Sequence, residues 1–472
     1  MIFTEAIFPL FLGIVLFVYW VVLRDDWRNH WLLLASAVVY GWWDAKLLLL
    51  IGAVIGVSWL AALMIRRREG DRRGQLIVLW LAIGFQLSML GVFKYFNFFK
   101  ASAEDMLTMA GWTVSWPVLN IILPVGISFY IFQAISYLVD VFRKDLPAQR
   151  RLDRVALYIA FFPQLVAGPI VRAASFFPQI ERQKKLTSAL IASGAKAFII
   201  GFIYKAALAD NIAPFVDPVF AEIGLWSNSS LVAATLAFGT QIYFDFAGYS
   251  LMAIGVARWF GFYIPKNFDD PYSSPSMTVF WRRWHMSLSF WLRDYLYIPL
   301  GGNRLGALKT YRNLMITMVL GGLWHGAAWN FVIWGAIHGA ALSLHRIIMG
   351  RAQNRLLVPA LGGAFGIVMT LIVVFAAWVP FRAENLSDTV SVWAASLGLR
   401  EAGMQQISIV AFFVPGLLLV DSLMSQVDRL KSLPKAPAFR SPSLYWAGLG
   451  CLTAIALALF PLKSAPFVYF QF

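Results

Sequence analysis

Runs of about 20 apolar residues, the length a helix needs to cross the hydrocarbon core of a bilayer, recur near residues 6–23, 75–96, 118–142, 187–208, 229–257, 357–380, 405–424 and 443–462. The stretch from Trp31 to Ile65 is long enough for two more, broken at Trp42, Trp43 and Asp44. This pattern predicts an all-α polytopic membrane protein. The first run has Glu5 before it and Arg24 after it, with no basic leader or small-residue cleavage site, and reads as a retained span rather than a signal peptide. Leu157 to Ile180 and Pro271 to Arg312 fit no simple span. The first contains FFPQLVAGPIVR (Phe161 to Arg172), whose two prolines and glycine break helical hydrogen bonding. Irregular backbone at membrane depth is tolerated only where protein covers it or it lines a wet cavity. Both segments therefore read as re-entrant or interfacial pieces around a cytoplasm-facing hollow.

The polar connections are of two kinds. RRREGDRR (Arg66 to Arg73) and RKDLPAQRRLDR (Arg143 to Arg154) carry five basic residues each, and RQKK (Arg182 to Lys185), RIIMGRAQNR (Arg346 to Arg355) and the stretch from Arg429 to Arg440 are basic as well. Lys100 to Pro117 and Asp210 to Asn228 are acidic or neutral. Placing every basic loop in the cytoplasm, as the positive-inside bias requires, makes the two kinds alternate and puts both termini outside. With no internal repeat or low-complexity tract, residues 1–472 read as one membrane domain.

Composition agrees: 60% hydrophobic and 13% charged residues cannot cover a water-soluble surface. The net charge of +15 falls in short loops rather than on one soluble face, so it reports topology and not nucleic-acid binding. A single cysteine, Cys451, excludes an intrachain disulfide and a thiolate metal cluster. HExxH, HxxxH, CxxC, GxSxG, Walker and GxGxxG motifs are absent from the sequence, leaving no metal site, serine nucleophile or nucleotide motor to argue from.

Two segments carry chemistry. GGLWHGAAWNFVIWGAIHGAALSLHR (Gly321 to Arg346) places His325 in an otherwise apolar helical run, and a polar group there usually faces a cavity or substrate path. Imidazole is the side chain best suited to move a proton near neutral pH. Gly321, Gly322 and Gly326 permit a broken helix and close substrate approach. His338 and His345 share a face of the same run, with His338 roughly 140° from His325 if the helix is continuous, and read as packing or interfacial residues.

WRRWHMSLSFWLRDYLYIPLGGNR (Trp281 to Arg304), if helical, puts Trp281, Trp284, His285 and Leu288 on one face. Either it is an interfacial helix whose arginines reach lipid headgroups, or His285 lines a cavity with Arg282 or Arg283 near its cytoplasmic mouth, close to donor phosphates. In QIYFDFAGYS (Gln241 to Ser250), Asp245 suggests a structural pair with an arginine such as Arg258, and Gly248 a close backbone approach. Asp140 is expected to pair with Arg143.

These segments, with KYFNFF (Lys94 to Phe99), LPVGISFYIFQAISY (Leu123 to Tyr137), WVPFRAENL (Trp378 to Leu386) and the terminal FVYFQF, resemble the membrane-bound O-acyltransferase superfamily, in the branch of alginate O-acetyltransferases and teichoic acid D-alanyl transferases. The resemblance implies a ring of transmembrane helices with re-entrant pieces around a central funnel, with a core at about residues 118–385. It makes His325 the essential histidine and His285 the second. It further implies a bacterial inner-membrane enzyme with periplasmic termini, taking acetyl from cytoplasmic acetyl-CoA. A periplasmic acetyltransferase of the SGNH serine-hydrolase type would complete O-acetylation of a polysaccharide. A D-alanyl-type transferase fed by a carrier protein, or a saccharide transporter, are the alternatives; the transporter would call for inverted repeats, which the sequence does not display.

Overall fold

A computed structural model describes residues 1–118, 124–165, 168–351, 363–431, 442–460 and 467–468. Several expectations fall partly outside them: the start of the 118–142 run, Val166 and Ala167, the basic stretches beyond residues 351 and 431, the ends of the 357–380 and 443–462 runs, and the last four residues of FVYFQF. The described residues form helices and no strand, apart from one isolated bridge between Trp226 and Gln405. Among the described residues, five helices are long and apolar enough to cross a membrane, spanning Leu47–Arg67, Arg72–Met109, Ser188–Ala221, Trp329–Ile348 and Ala364–Arg382.

The chain divides into two compact units. The first comprises Met1–Phe198 and Met252–Pro265. In it lie α1 (Ile7–Phe17), α2 (Asp25–Gly41), α3 (Leu47–Arg67), α4 (Arg72–Leu90), α5 (Phe96–Met109), α6 (Ile127–Arg143), α7 (Leu152–Ala160), α8 (Phe162–Leu165) and α9 (Ala173–Glu181). The expected break at Trp42 to Asp44 separates α2 from α3. Leu157 to Ile180 is no simple span, in line with its helix-breaking residues: α7 ends at Ala160, α8 is a single turn, and α9 begins only at Ala173. One expectation is corrected: the fourth span does not stop at residue 96, because α4 runs through a π-helical turn into α5. Lys100 and Glu104, expected in a loop, sit one turn apart in that helix and pair at 2.8 Å, so the charges are neutralised locally.

The second unit comprises Ile199–Leu251 and Lys266–Phe472. Boundaries between the units fall within α10 (Ser188–Phe202) and α12 (Asn228–Trp259), and α11 (Asp210–Ala221) lies between these helices in the chain. There follow α13 (Met277–Arg283), α14 (Met286–Leu292), α15 (Ala307–His325), α16 (Trp329–Arg351), α17 (Ala364–Arg382), α18 (Leu386–Ser396), α19 (Val410–Phe413), α20 (Gly416–Lys431) and α21 (Pro442–Ala458). Here too a predicted loop is helix, since α10 continues through a π-helical stretch, Ile203–Ala209, into α11.

The reason is a buried ion cluster. Lys205 Nζ lies 2.6 Å from Asp210 Oδ1 and 2.7 Å from Asp245 Oδ1, with all three residues at most 3% exposed. Asp245 thus pairs with Lys205 and not with Arg258, which lies 13 residues and about 20 Å further along α12 and donates to the Ser193 carbonyl. Gly248 makes the close approach expected of it, since a Cβ there would meet the Gly201 carbonyl oxygen at 2.7 Å. The Val468 amide also donates to Asp245, at 2.7 Å.

Candidate active site

His325 is the last residue of α15, and the run from Gly321 to Arg346 is not one helix but a tight helical hairpin, broken at Gly326 just after the histidine. Glycine dictates the hairpin. A Cβ on Gly322 would lie 2.1 Å from the Phe331 carbonyl oxygen, and one on Gly335 would lie 2.3 Å from that of Met318, so α15 and α16 touch backbone to backbone. Asn330 fastens the start of α16 by donating to the Ala383 carbonyl, 2.7 Å away at the end of α17.

The hairpin folds α16 back over His325. The Trp334 ring meets the imidazole at 4.9 Å, Phe381 of α17 at 5.3 Å and Trp324 at 5.0 Å, each edge-on, at interplanar angles of 78°, 67° and 82°. His325 is 4% exposed. Because His338 and His325 lie on opposite arms of the hairpin, the angular separation read along a single helix does not apply. Trp334 contacts both imidazoles, and its ring is 4.6 Å from that of His338. His338 is fully buried against Phe280, Trp281 and Trp334, as the packing reading expects, and half-buried His345 meets Thr278 Oγ1 at 3.1 Å.

The face predicted for Trp281, Trp284, His285 and Leu288 is not helical throughout. The chain breaks between α13 and α14, where His285 takes a left-handed backbone conformation with φ of 40°. For a non-glycine residue such a conformation costs on the order of 1–3 kcal/mol and persists only when neighbours enforce it. Asn267 does so: its backbone carbonyl accepts the Met286 amide at 2.8 Å, and its Oδ1 accepts the Ser287 amide at 3.2 Å and the Ser287 hydroxyl at 2.9 Å. His285 Nδ1 lies 3.1 Å from the same oxygen. The imidazole is fully buried against Phe246 and Trp324, and its centroid is 6.4 Å from that of His325.

Two imidazoles far apart in sequence thus share one aromatic enclosure. The arginines lie elsewhere, on the last turn of α13. Arg282 is exposed, whereas Arg283 donates to Ser273 Oγ at 2.9 Å and to the Asp270 carbonyl at 3.3 Å, fixing the turn that precedes the helix. Among the described residues no group of three or more His, Cys, Asp or Glu side chains could hold a metal ion. Asn267, Trp334 and Phe381 were not anticipated as site residues. Their types are common in apolar proteins, and only tertiary contact marks them.

The MBOAT profile, that of the membrane-bound O-acyltransferase family, matches residues 152–381, which include both histidines and their enclosure. The chain is 43% identical over 402 residues to the "Probable alginate O-acetylase AlgI" of Azotobacter vinelandii, covering 84% of this chain and 78% of the relative. It is 38% identical to the protein of the same name in Pseudomonas putida across 100% of both chains. It is 36% identical to the "Peptidoglycan O-acetyltransferase" of Helicobacter pylori, over 80% of this chain and 75% of that one.

Proposed function

Because the chain belongs to the membrane-bound O-acyltransferase family and is an acyltransferase, we propose that it moves an acetyl group from cytoplasmic acetyl-CoA across a bacterial inner membrane for O-acetylation of an extracytoplasmic polysaccharide. The observation that carries this reading is the placement of His325 at a helix end, within an aromatic enclosure shared with a second imidazole. Basic loops lie in the cytoplasm and both termini in the periplasm. A periplasmic SGNH-type acetyltransferase is the partner that completes delivery to the polymer.

A thioester carbonyl is already electrophilic, so the difficulty lies in the hydroxyl that attacks it, which does not ionise at neutral pH. His325 takes the hydroxyl proton as the oxygen–carbon bond forms, a positioned general-base effect typically worth about 10² to 10⁴ in rate. The carbon–sulfur bond then breaks and the thiolate leaves, to be protonated in turn. The last carbonyls of α15 present the negative end of the helix to the imidazolium that forms. His285, once protonated, stabilises the oxyanion or the thiolate. The aromatic enclosure keeps out water that would hydrolyse the thioester. Arg282 and Arg283 lie at the donor's entrance, where Arg282 meets its phosphates.

The test uses purified protein in proteoliposomes, with thiol release from acetyl-CoA as the measurement. His325→Ala is expected to lower the rate by about 10² to 10⁴ at unchanged folded yield, and an unmodified rate removes the assignment. Turnover with an acyl-charged carrier protein but not with acetyl-CoA would replace the donor by the D-alanyl type.

A further inference from the structure

Asn267 lies 18 residues before His285, in the loop that leads toward α13, and is itself 1% exposed. Which way its amide faces is fixed by chemistry. A backbone N–H can only donate, so the atom facing the Ser287 amide at 3.2 Å is oxygen, and the opposite end, Nδ2, donates to Ser250 Oγ at 3.1 Å. The oxygen that meets the Ser287 amide also meets His285 Nδ1 at 3.1 Å. An amide oxygen cannot donate, so the proton of this contact belongs to the imidazole. A neutral imidazole carries one ring N–H, and its other nitrogen bears a lone pair.

We infer that Asn267 is the positioning residue of His285: it holds the ring as the Nδ1–H tautomer, so that Nε2 is a proton acceptor. The inference rests on the proposed acyl transfer and sharpens one part of it. Neutral His285 cannot offer an N–H to an oxyanion from Nε2. It must first gain a proton there, and only the resulting imidazolium can hold the leaving thiolate. The same Asn267 oxygen caps the first turn of α14, so the left-handed backbone at His285 and the tautomer of its ring are set by one side chain.

The experiment reads the tautomer directly. Protein labelled with ¹⁵N-histidine is studied by ¹⁵N–¹H correlation in detergent at a pH where the ring is neutral, the His285 signal being assigned by its loss in His285→Gln. The wild type is expected to carry its proton on Nδ1. Asn267→Leu should abolish that preference and lower kcat by about tenfold with donor KM unchanged. Asn267→Asp, which keeps an acceptor oxygen, should retain the Nδ1–H tautomer, and Ser287→Ala should leave it unaltered. A proton on Nε2 in the wild type, or an unchanged tautomer in Asn267→Leu, overturns the inference. Should Asn267→Leu fail to fold, the wild-type spectrum alone still decides against it or for it. An unmodified rate in His325→Ala would sink the acyl-transfer reading without touching this measurement.

Discussion

Two of the polar clusters among the described residues of the second unit are built on opposite rules. Around Lys205 the charges are full and mutually matched: one ammonium lies between two carboxylates at 2.6 and 2.7 Å, with a backbone amide on the second carboxylate. Around His285 and His325 no formal charge is needed. Two imidazoles lie among Phe246, Trp324, Trp334 and Phe381, and the polar support comes from an asparagine amide. Buried charge with its partners fixed by close ion pairs is suited to locking helices together. An imidazole, unlike a matched ion pair, can exchange a proton near neutral pH. The difference separates a buried group fixed by matched charge from one that the proposed function assigns to chemistry, although burial alone ranks them equally.

The largest expected effect breaks the first cluster. Lys205→Ala leaves two buried carboxylates without their cation, and removing one partner of a buried ion pair typically costs about 3–5 kcal/mol. Folded, monodisperse protein should be nearly lost, as read by size-exclusion profile and thermal melt in detergent. Lys205→Met combined with Asp210→Asn and Asp245→Asn removes the charges together and should recover most of the yield. If Lys205→Ala instead folded normally and lost only activity, the ion cluster would belong to the chemistry and the contrast would collapse.

The sequence carried the first cluster only in part. Asp245 stands out in an aromatic run, but its partner is a lysine inside another apolar stretch, and the nearer-looking Arg258 is three to four turns away along the same helix. Once Lys205 neutralises Asp210, the polar residues that mark a loop become helix, which is why the predicted boundary at residue 208 is wrong while the run itself is right. The second cluster was more legible. His325 and His285 announce themselves as titratable groups in apolar surroundings. Their motifs also resemble a family that assigns them roles, and the glycines around His325 permitted a break. Hidden from the sequence were the tertiary facts: that the break is a hairpin bringing Trp334 onto His325, and that an asparagine 18 residues upstream meets His285. Aromatic enclosure leaves no spacing signature, because any of the chain's 20 tryptophans could supply it.

A smaller effect sharpens the comparison from the side of the imidazoles. In Gly322→Ala the new methyl carbon would sit 2.1 Å from the Phe331 carbonyl oxygen, and since that atom is backbone, α15 and α16 must part. His325 moves with the end of α15, and a displacement near 1 Å is enough to lose on the order of 10² in kcat. The accompanying destabilisation should stay near 1–3 kcal/mol, the usual range for overpacking. Gly321→Ala is the control, because its methyl carbon meets only Leu292 Cδ1, at 3.1 Å, and a side-chain tip can yield. Thiol-release kinetics on both variants should show a large loss in the first and little in the second. Equal losses would mean that the glycines serve helix flexibility and not the approach of the two helices.

The smallest effect concerns the arginines of α13, where the same distinction between holding and acting recurs one residue apart. Arg283 is committed to the turn at Asp270 and Ser273, so Arg283→Gln should lower thermal stability and affect every donor alike. Arg282 is exposed and makes no such bond among the described residues. If it meets the donor's phosphates, Arg282→Gln should raise KM for acetyl-CoA about two- to fivefold, the scale of an exposed ion pair, with kcat unchanged. The increase should fade as ionic strength rises. S-acetyl-N-acetylcysteamine supplies the same thioester without phosphates, and its KM should not respond to the substitution. A parallel rise for both donors would place Arg282 with Arg283 among the residues that shape the entrance, and would leave recognition of the donor to other groups.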